Sequence, residues 1–186
     1  SRDERRWLAK AGVRIGARHV FAPAVLKPAA MQWSIALWAA AHPEAGALPA
    51  LPENAPVSVA VAPSAPRALY TAAGYWVVGD KAVRVDLVER LLDVLREEAR
   101  GGAPVVPTGQ LVSMVGLSQA DFSRLMVALG YRRTLLPPRE GAAEGEKIVA
   151  YKWKGHAANR RRAAGGERKD VAASSPFAAL AAWRSS

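Results

Sequence analysis

VRVDLVERLLDVLREEARGGAPVVPTGQLVSMVGLSQADFSRLMVALGYRRTLL, residues 83–136, with KIVAYKWK, residues 147–154, decides the fold. Leu87, Val88, Leu91, Leu92, Val94 and Leu95 recur at helical spacing from about Asp86, and Gly101-Gly102 ends that run. Thr108, after Pro107, is placed to cap a short second helix holding Leu111, Val112, Met114 and Val115, which stops at Gly116. Ser118 is placed to cap a third, with Asp121 in its first turn, where the helix dipole favours a carboxylate. Phe122, Leu125, Met126 and Leu129 fall at i, i+3, i+4 and i+7 and form one buried face. Two strand-like runs, 131–136 and 147–154, flank a loop rich in Pro and Gly. Helix, helix, helix, ribbon is the order of a winged helix, so a winged-helix-like unit is expected at 67–154.

Upstream, residues 2–11 read as a helix bearing Trp7, Leu8 and Ala11, stopped by Gly12. Val13, Ile15, Val20 and Phe21 suggest a strand or hairpin, which Gly16-Ala17 weakens. A helix from Pro28 to Ala41 follows, with proline at its first position. Residues 42–66 hold Pro43, Pro49, Pro52, Pro56, Pro63 and Pro66 and read as a linker or surface loop, with a short strand open at 57–61. A helix at 67–73 leads to two short runs around a Gly79-Asp80 turn, a small hairpin. The expected class is a mainly helical α+β fold: an N-terminal helix–strand–helix part at 1–41, the Pro-rich span, the winged-helix-like unit, and a tail at 155–186. That tail is basic and small and reads as disordered, with a short apolar end at 176–183.

The chain of 186 residues carries a formal charge of +10, unevenly spread. Residues 1–18 hold net +4, residues 152–170 net +5 and Arg184 a further +1, while 19–151 is neutral. Clustered cations attract phosphate backbones; the alternative is a solvated basic tail. There is no cysteine, which removes disulfides and cysteine metal sites and suits a reducing compartment, so a cytoplasmic location is expected. No apolar run reaches the roughly 18 residues of a membrane span, so no membrane partner is expected.

Catalytic patterns do not survive inspection. Gly74 and Gly79 have the spacing of a phosphate loop, but Asp80 stands where the Lys belongs and Ala82 follows Lys81. His19, His42 and His156 have no metal-ligand spacing. Neither a catalytic residue nor a cofactor is expected in this chain. Glu97 and Glu98, between Arg96 and Arg100, read as a solvated helix face.

The candidate binding residues lie at the ribbon. Tyr151-Lys152-Trp153-Lys154 alternates aromatic and cation, so the aromatics share one face and the lysines the other. Trp153 either stacks a base or covers the core. Arg132, Arg133 and Lys147 extend the charge on the ribbon, Arg160, Arg161 and Arg162 extend it beyond, and Arg124 lies beside it. Phe177, Leu180 and Trp183 are candidates for docking a protein partner or for packing on their own domain.

The block Gly12-Val13-Arg14-Ile15-Gly16, continued by residues 20–30 (VFAPAVLKPAA), and the ending Ser175-Pro176-Phe177-Ala178-Ala179-Leu180 resemble parts of the C-terminal region of bacterial superfamily 2 helicases related to the mitochondrial RNA-degradation helicase. The resemblance implies an accessory region after two motor domains, contacting RNA or DNA, with those motors as partners. The family's ATPase motifs match no position here, so no catalytic residue carries over. Two other classes fit the sequence: a module docking a nuclease or ribosome partner, and a free-standing winged-helix DNA-binding regulator.

Overall fold

A computed structural model describes residues 2–46, 53–137 and 147–155. Residues 1–153 make one compact unit, and a second begins at Lys154. The class is mixed α/β, with six α-helices and three small antiparallel sheets among the described residues.

Helix α1 (Arg2–Lys10) buries no residue. Gly12 turns the chain at φ +78° into β1 (Arg14–Ile15), which pairs with β2 (Val20–Phe21) in the register Arg14 to Phe21. A 3-10 turn at Pro23–Leu26 precedes α2 (Pro28–Ala41). Helix α2 carries no charged side chain, yet Met31 is its only buried residue, and Trp33 and Leu37 stand 71% and 67% exposed.

Strand β3 (Ser58–Ala60), α3 (Arg67–Ala72), β4 (Tyr75–Val78) and β5 (Lys81–Arg84) build a sheet of order β3-β5-β4. Successive residues of a strand point to opposite faces, and β5 uses both. Ala82 packs with Met31, Val59, Tyr70 and Tyr75 under α2 and α3. Val83 packs with the core of the C-terminal helices.

Of the two readings of 42–66, this favours a surface loop with a short strand at 57–61 over a linker. Ser58, Val59 and Ala60 pair with Val83, Ala82 and Lys81. Tyr75 donates its hydroxyl to the Pro56 carbonyl at 2.8 Å, and Arg84 donates to the Ala55 carbonyl at 3.0 Å. The proline-rich span therefore supplies an edge strand, within the stretch 57–61 left open for one, and two acceptors to the body. Proline suits an edge, where a missing N–H costs no ladder bond. The expected boundary at 66/67 accordingly runs through a single sheet.

Helix α4 (Val85–Glu98) buries Val88, Leu91, Leu92 and Leu95. The Thr108 hydroxyl accepts from the Leu111 N–H at 3.3 Å at the start of α5 (Gly109–Met114). At α6 (Gln119–Ala128), the Ser118 hydroxyl accepts from the Asp121 N–H at 3.1 Å and donates to its carboxylate at 2.7 Å. Phe122, Leu125, Met126 and Leu129 are buried, as their spacing requires. Strands β6 (Tyr131–Leu136) and β7 (Ile148–Trp153) form the ribbon, and Val105 exchanges both backbone hydrogen bonds with Tyr151, at 2.7 and 2.8 Å, as its third line. Glu97 and Arg100 meet at 2.7 Å on the exposed face of α4, as expected of a solvated pair.

The N-terminal hairpin is tied to α4 through one carboxylate. Glu89, only 5% exposed, accepts from the backbone N–H groups of Ala17, of Arg18 at 3.1 Å and of His19 at 2.8 Å, and its Oε1 lies 2.8 Å from His19 Nδ1. Gly16 is required by close approach, because a Cβ there would fall 2.2 Å from Glu89 Oε2. The glycine that weakens the strand pattern is thus what lets the hairpin loop close on the carboxylate. The same loop rests on Trp76, with the Arg18 guanidinium 4.7 Å from the ring centroid and the His19 ring 5.4 Å away, edge-on.

Replacing Glu89 with Ala should cost about 1.5–3 kcal/mol in urea unfolding, the range for hydrogen bonds to a charged group. Gly16→Ala should cost a similar amount alone but under about 0.5 kcal/mol in the Glu89→Ala background, where the clashing atoms are gone. Fully additive losses would show that the loop and the carboxylate are not coupled.

Burial pushes the Tyr75 phenol up to about 12, against the nearby Arg84 charge, which lowers it. Its unfolded value is about 10. The folded state therefore binds the proton more tightly, and this contribution is complete below pH 10. It should decline as pH rises from about 10 through about 12. Unfolding curves from pH 9 to 12 should show that decline, and Tyr75→Phe should flatten it.

Candidate nucleic-acid interface

The ribbon's register decides which of its side chains face solvent. Tyr131 lies opposite Trp153, Arg132 opposite Lys152 and Arg133 opposite Tyr151. Tyr131 and Tyr151 are buried in the C-terminal core. The Tyr151 hydroxyl hydrogen-bonds that of Ser123 on α6, and its ring meets Phe122 edge-on at 6.4 Å. Tyr151 is therefore a core residue that fastens β7 to α6. Trp153 is intermediate between the two readings. It packs edge-on against Tyr131 at 5.1 Å and lies over Gly130, where a Cβ would sit 3.3 Å from its ring, yet it is 41% exposed.

Arg132 and Lys152 are direct cross-strand neighbours, and both are exposed. Arg133 is also exposed, as is Lys147 immediately before β7. Among the described residues none of these four meets a carboxylate within 4.0 Å. Like charges directly opposite one another destabilise a ribbon. A bound phosphate would relieve that repulsion.

Arg124 differs from this set. Its guanidinium bonds Asp80 on the β4–β5 turn at 2.6 Å and Asp121 one helical turn back at 3.1 Å. Its own backbone hydrogen bond first, and then the Arg124 guanidinium, hold the Asp80 carboxyl below its usual range. Arg124 therefore clamps α6 to the turn, and its charge is largely neutralised. The other outward positions of α6 offer little for reading bases. Ala120 and Val127 are apolar, the Ser123 hydroxyl is engaged by Tyr151, and only Gln119 at the first position is an exposed, unengaged amide.

Lys154 is exposed and opens the second unit. Arg160, Arg161 and Arg162, and the docking candidates Phe177, Leu180 and Trp183, lie outside the described residues. Three further cations, Arg5, Arg14 and Lys27, share a separate cleft in the N-terminal part. For Arg5 and Arg14 the signal in the sequence is the net +4 over residues 1–18, whereas Lys27 lies in the neutral stretch and has none.

His42 stacks on Trp38 at 4.3 Å and bonds its carbonyl, and His19 is held by Glu89. Among the described residues no group of three or more His, Asp or Glu is placed to hold a metal, and no helix is long and apolar enough to cross a membrane. What the ribbon can do chemically is hold phosphate oxygens by charge, with Trp153 offering part of a ring face. No protein-family model, no curated protein and no solved structure matches the chain.

Asp80→Asn should release the Arg124 guanidinium from its shorter ion pair. If nucleic acid lies across the ribbon and α6, the salt dependence of single-strand affinity should steepen by about 0.7 on the log–log slope, one added phosphate contact. Fluorescence anisotropy across a salt series measures it. An unchanged slope would place Arg124 outside the interface.

Proposed function

We propose that this chain is an accessory nucleic-acid-binding region that grips the phosphate backbone, of RNA by the resemblance in its N-terminal block, beside a helicase motor in the cytoplasm. The observation that carries the reading is the exposed set Arg132, Arg133, Lys147 and Lys152, which meets no carboxylate among the described residues. Other exposed cations, such as Arg67 and Arg90, are also unpaired among the described residues, but they stand singly, whereas the ribbon gathers four, with Arg132 directly opposite Lys152. The order helix, helix, helix, ribbon supports a winged-helix-like unit with the ribbon as its wing. Contacts of this kind position a strand without reading its sequence. The regulator reading is disfavoured because the outward side of α6 leaves only Gln119, at its first position, as an unengaged polar side chain, with Arg124 and Ser123 already engaged. The chain is assigned no catalysis: its part is to hold the strand while a motor elsewhere consumes ATP.

Binding should be sequence-tolerant and weaken steeply with salt. Replacing Arg132 and Lys152 together with Ala should lower the log–log slope by about 1.4–1.8, at roughly 0.7 to 0.9 per phosphate released. The measurement is affinity for a labelled single strand and a duplex over a salt series. Both side chains are exposed, so the melting temperature should not fall. Undetectable binding at low salt, or a slope unmoved by the double replacement, would overturn the reading and favour a protein-docking role.

A further inference from the structure

Helix α1, the β1–β2 hairpin and the 3-10 turn before α2 border an open cleft of about 900 Å³. That volume lies within the roughly 300–1,000 Å³ of small-molecule sites. Arg5 enters from α1, Arg14 from β1 and Lys27 from the cap of α2, and no acidic residue lines the space. All three cations are exposed, and none meets a carboxylate within 4.0 Å among the described residues. Val13, Ile15 and Pro23 give the cleft an apolar wall.

A neighbouring cleft of about 460 Å³ shares Arg14, Ile15 and Pro23 and does contain acids, Asp86, Glu89 and Asp93. Each is already engaged. Asp86 holds Arg84 at 2.6 Å, Asp93 holds Arg96 at 3.2 Å, and Glu89 is occupied by the hairpin backbone. They therefore leave Arg14 available to the larger cleft. The fold has gathered three like charges around an apolar wall and supplied no counter-charge. Such a site is complementary to a ligand that is anionic at one end and flat and apolar at the other.

We propose that this cleft binds one nucleotide of a single-stranded nucleic acid, with its phosphate on Arg5, Arg14 and Lys27 and its base against Val13, Ile15 and Pro23. The site is distinct from the ribbon and does not depend on it. A duplex carries its phosphates on the outside of a rod too wide to enter, which restricts the ligand to a single strand. The wall offers no side-chain donor or acceptor for a base edge apart from the cations, so recognition is base-tolerant.

The test maps backbone amide shifts in the full chain on adding adenosine 5′-monophosphate, adenosine, inorganic phosphate or a five-nucleotide single strand. The monophosphate and the strand should both move the amides of Ala9, Gly12, Val13 and Ala24, and the strand should displace the monophosphate. Adenosine and inorganic phosphate should each move them far less at equal concentration. Replacing Arg5, Arg14 and Lys27 with Ala should weaken strand binding at least about tenfold and lower the salt slope by about 0.7, the value for the one phosphate the cleft holds. Its melting temperature should be preserved. Equal shifts with inorganic phosphate would reduce the cleft to a simple anion site and overturn the proposal. So would a monophosphate that the strand cannot displace, or a triple variant that binds like the parent. If Arg132 and Lys152 prove irrelevant while the cleft amides still move, the ribbon reading fails and this one stands. If the strand moves only amides of 131–136 and 147–153, the reverse holds.

Discussion

A carboxylate taken out of water needs donors, and Glu89 finds them in a loop about 70 residues upstream in sequence. Three successive backbone N–H groups and one imidazole converge on it. The dependence is mutual. Without the loop, Glu89 would be a buried charge on α4 with no partner, which is costly. Without Glu89, the loop would have three donors turned toward a helix. Because strands β1 and β2 are two residues each and bury little, this contact is what anchors the N-terminal hairpin. The hairpin in turn holds Arg14 and the wall of the basic cleft in position.

What could be read from the residues alone was whatever is encoded locally. Thr108 and Ser118 cap helices as their types and positions require, because a cap is settled within three residues. The Phe122-to-Leu129 face and the turn at Gly79-Asp80 follow from periodicity and turn chemistry. The ribbon's cations were legible for the same reason, since alternation along a strand separates Lys152 from Tyr151 and Trp153. Partners far apart in sequence were not legible. Nothing near Glu89 marks it off from the other charges of an amphipathic helix. Gly16 read as a flaw in a strand when its role is to admit an oxygen atom. Arg124 read as a free cation because Asp80, which neutralises it, lies 44 positions away. The Pro-rich span left linker and surface loop open, with a strand only possible at 57–61, because proline opposes regular structure in general, whereas an edge strand of three residues tolerates it nearby.

The unit treats its cations in two ways. Some on the helical and sheet surfaces, Arg84, Arg96, Arg100 and Arg124, are matched to nearby acids, while Arg67 and Arg90 meet none within 4.0 Å among the described residues. Those on the ribbon and around the N-terminal cleft meet no acid within 4.0 Å among the described residues. Exposed ion pairs contribute little to stability. Their larger effect is on the surface field, since matched pairs cancel at a distance and unmatched groups do not. The field is therefore shaped by which cations are left unmatched more than by the total charge of the chain.

The strand order β3-β5-β4 has a consequence for synthesis. Neither β3 nor β4 pairs with the other, and both pair with β5. On a ribosome the centre of the sheet is thus the last of its strands to be made. Until Arg84 has emerged, both outer strands present unsatisfied backbone donors and acceptors, and the core beneath α2 has no floor. Glu89 emerges five residues later. Everything N-terminal to it, including a helix with two uncovered apolar side chains, must wait on a short segment near the middle of the chain. A nascent chain paused before that point would expose edges prone to pairing with other chains.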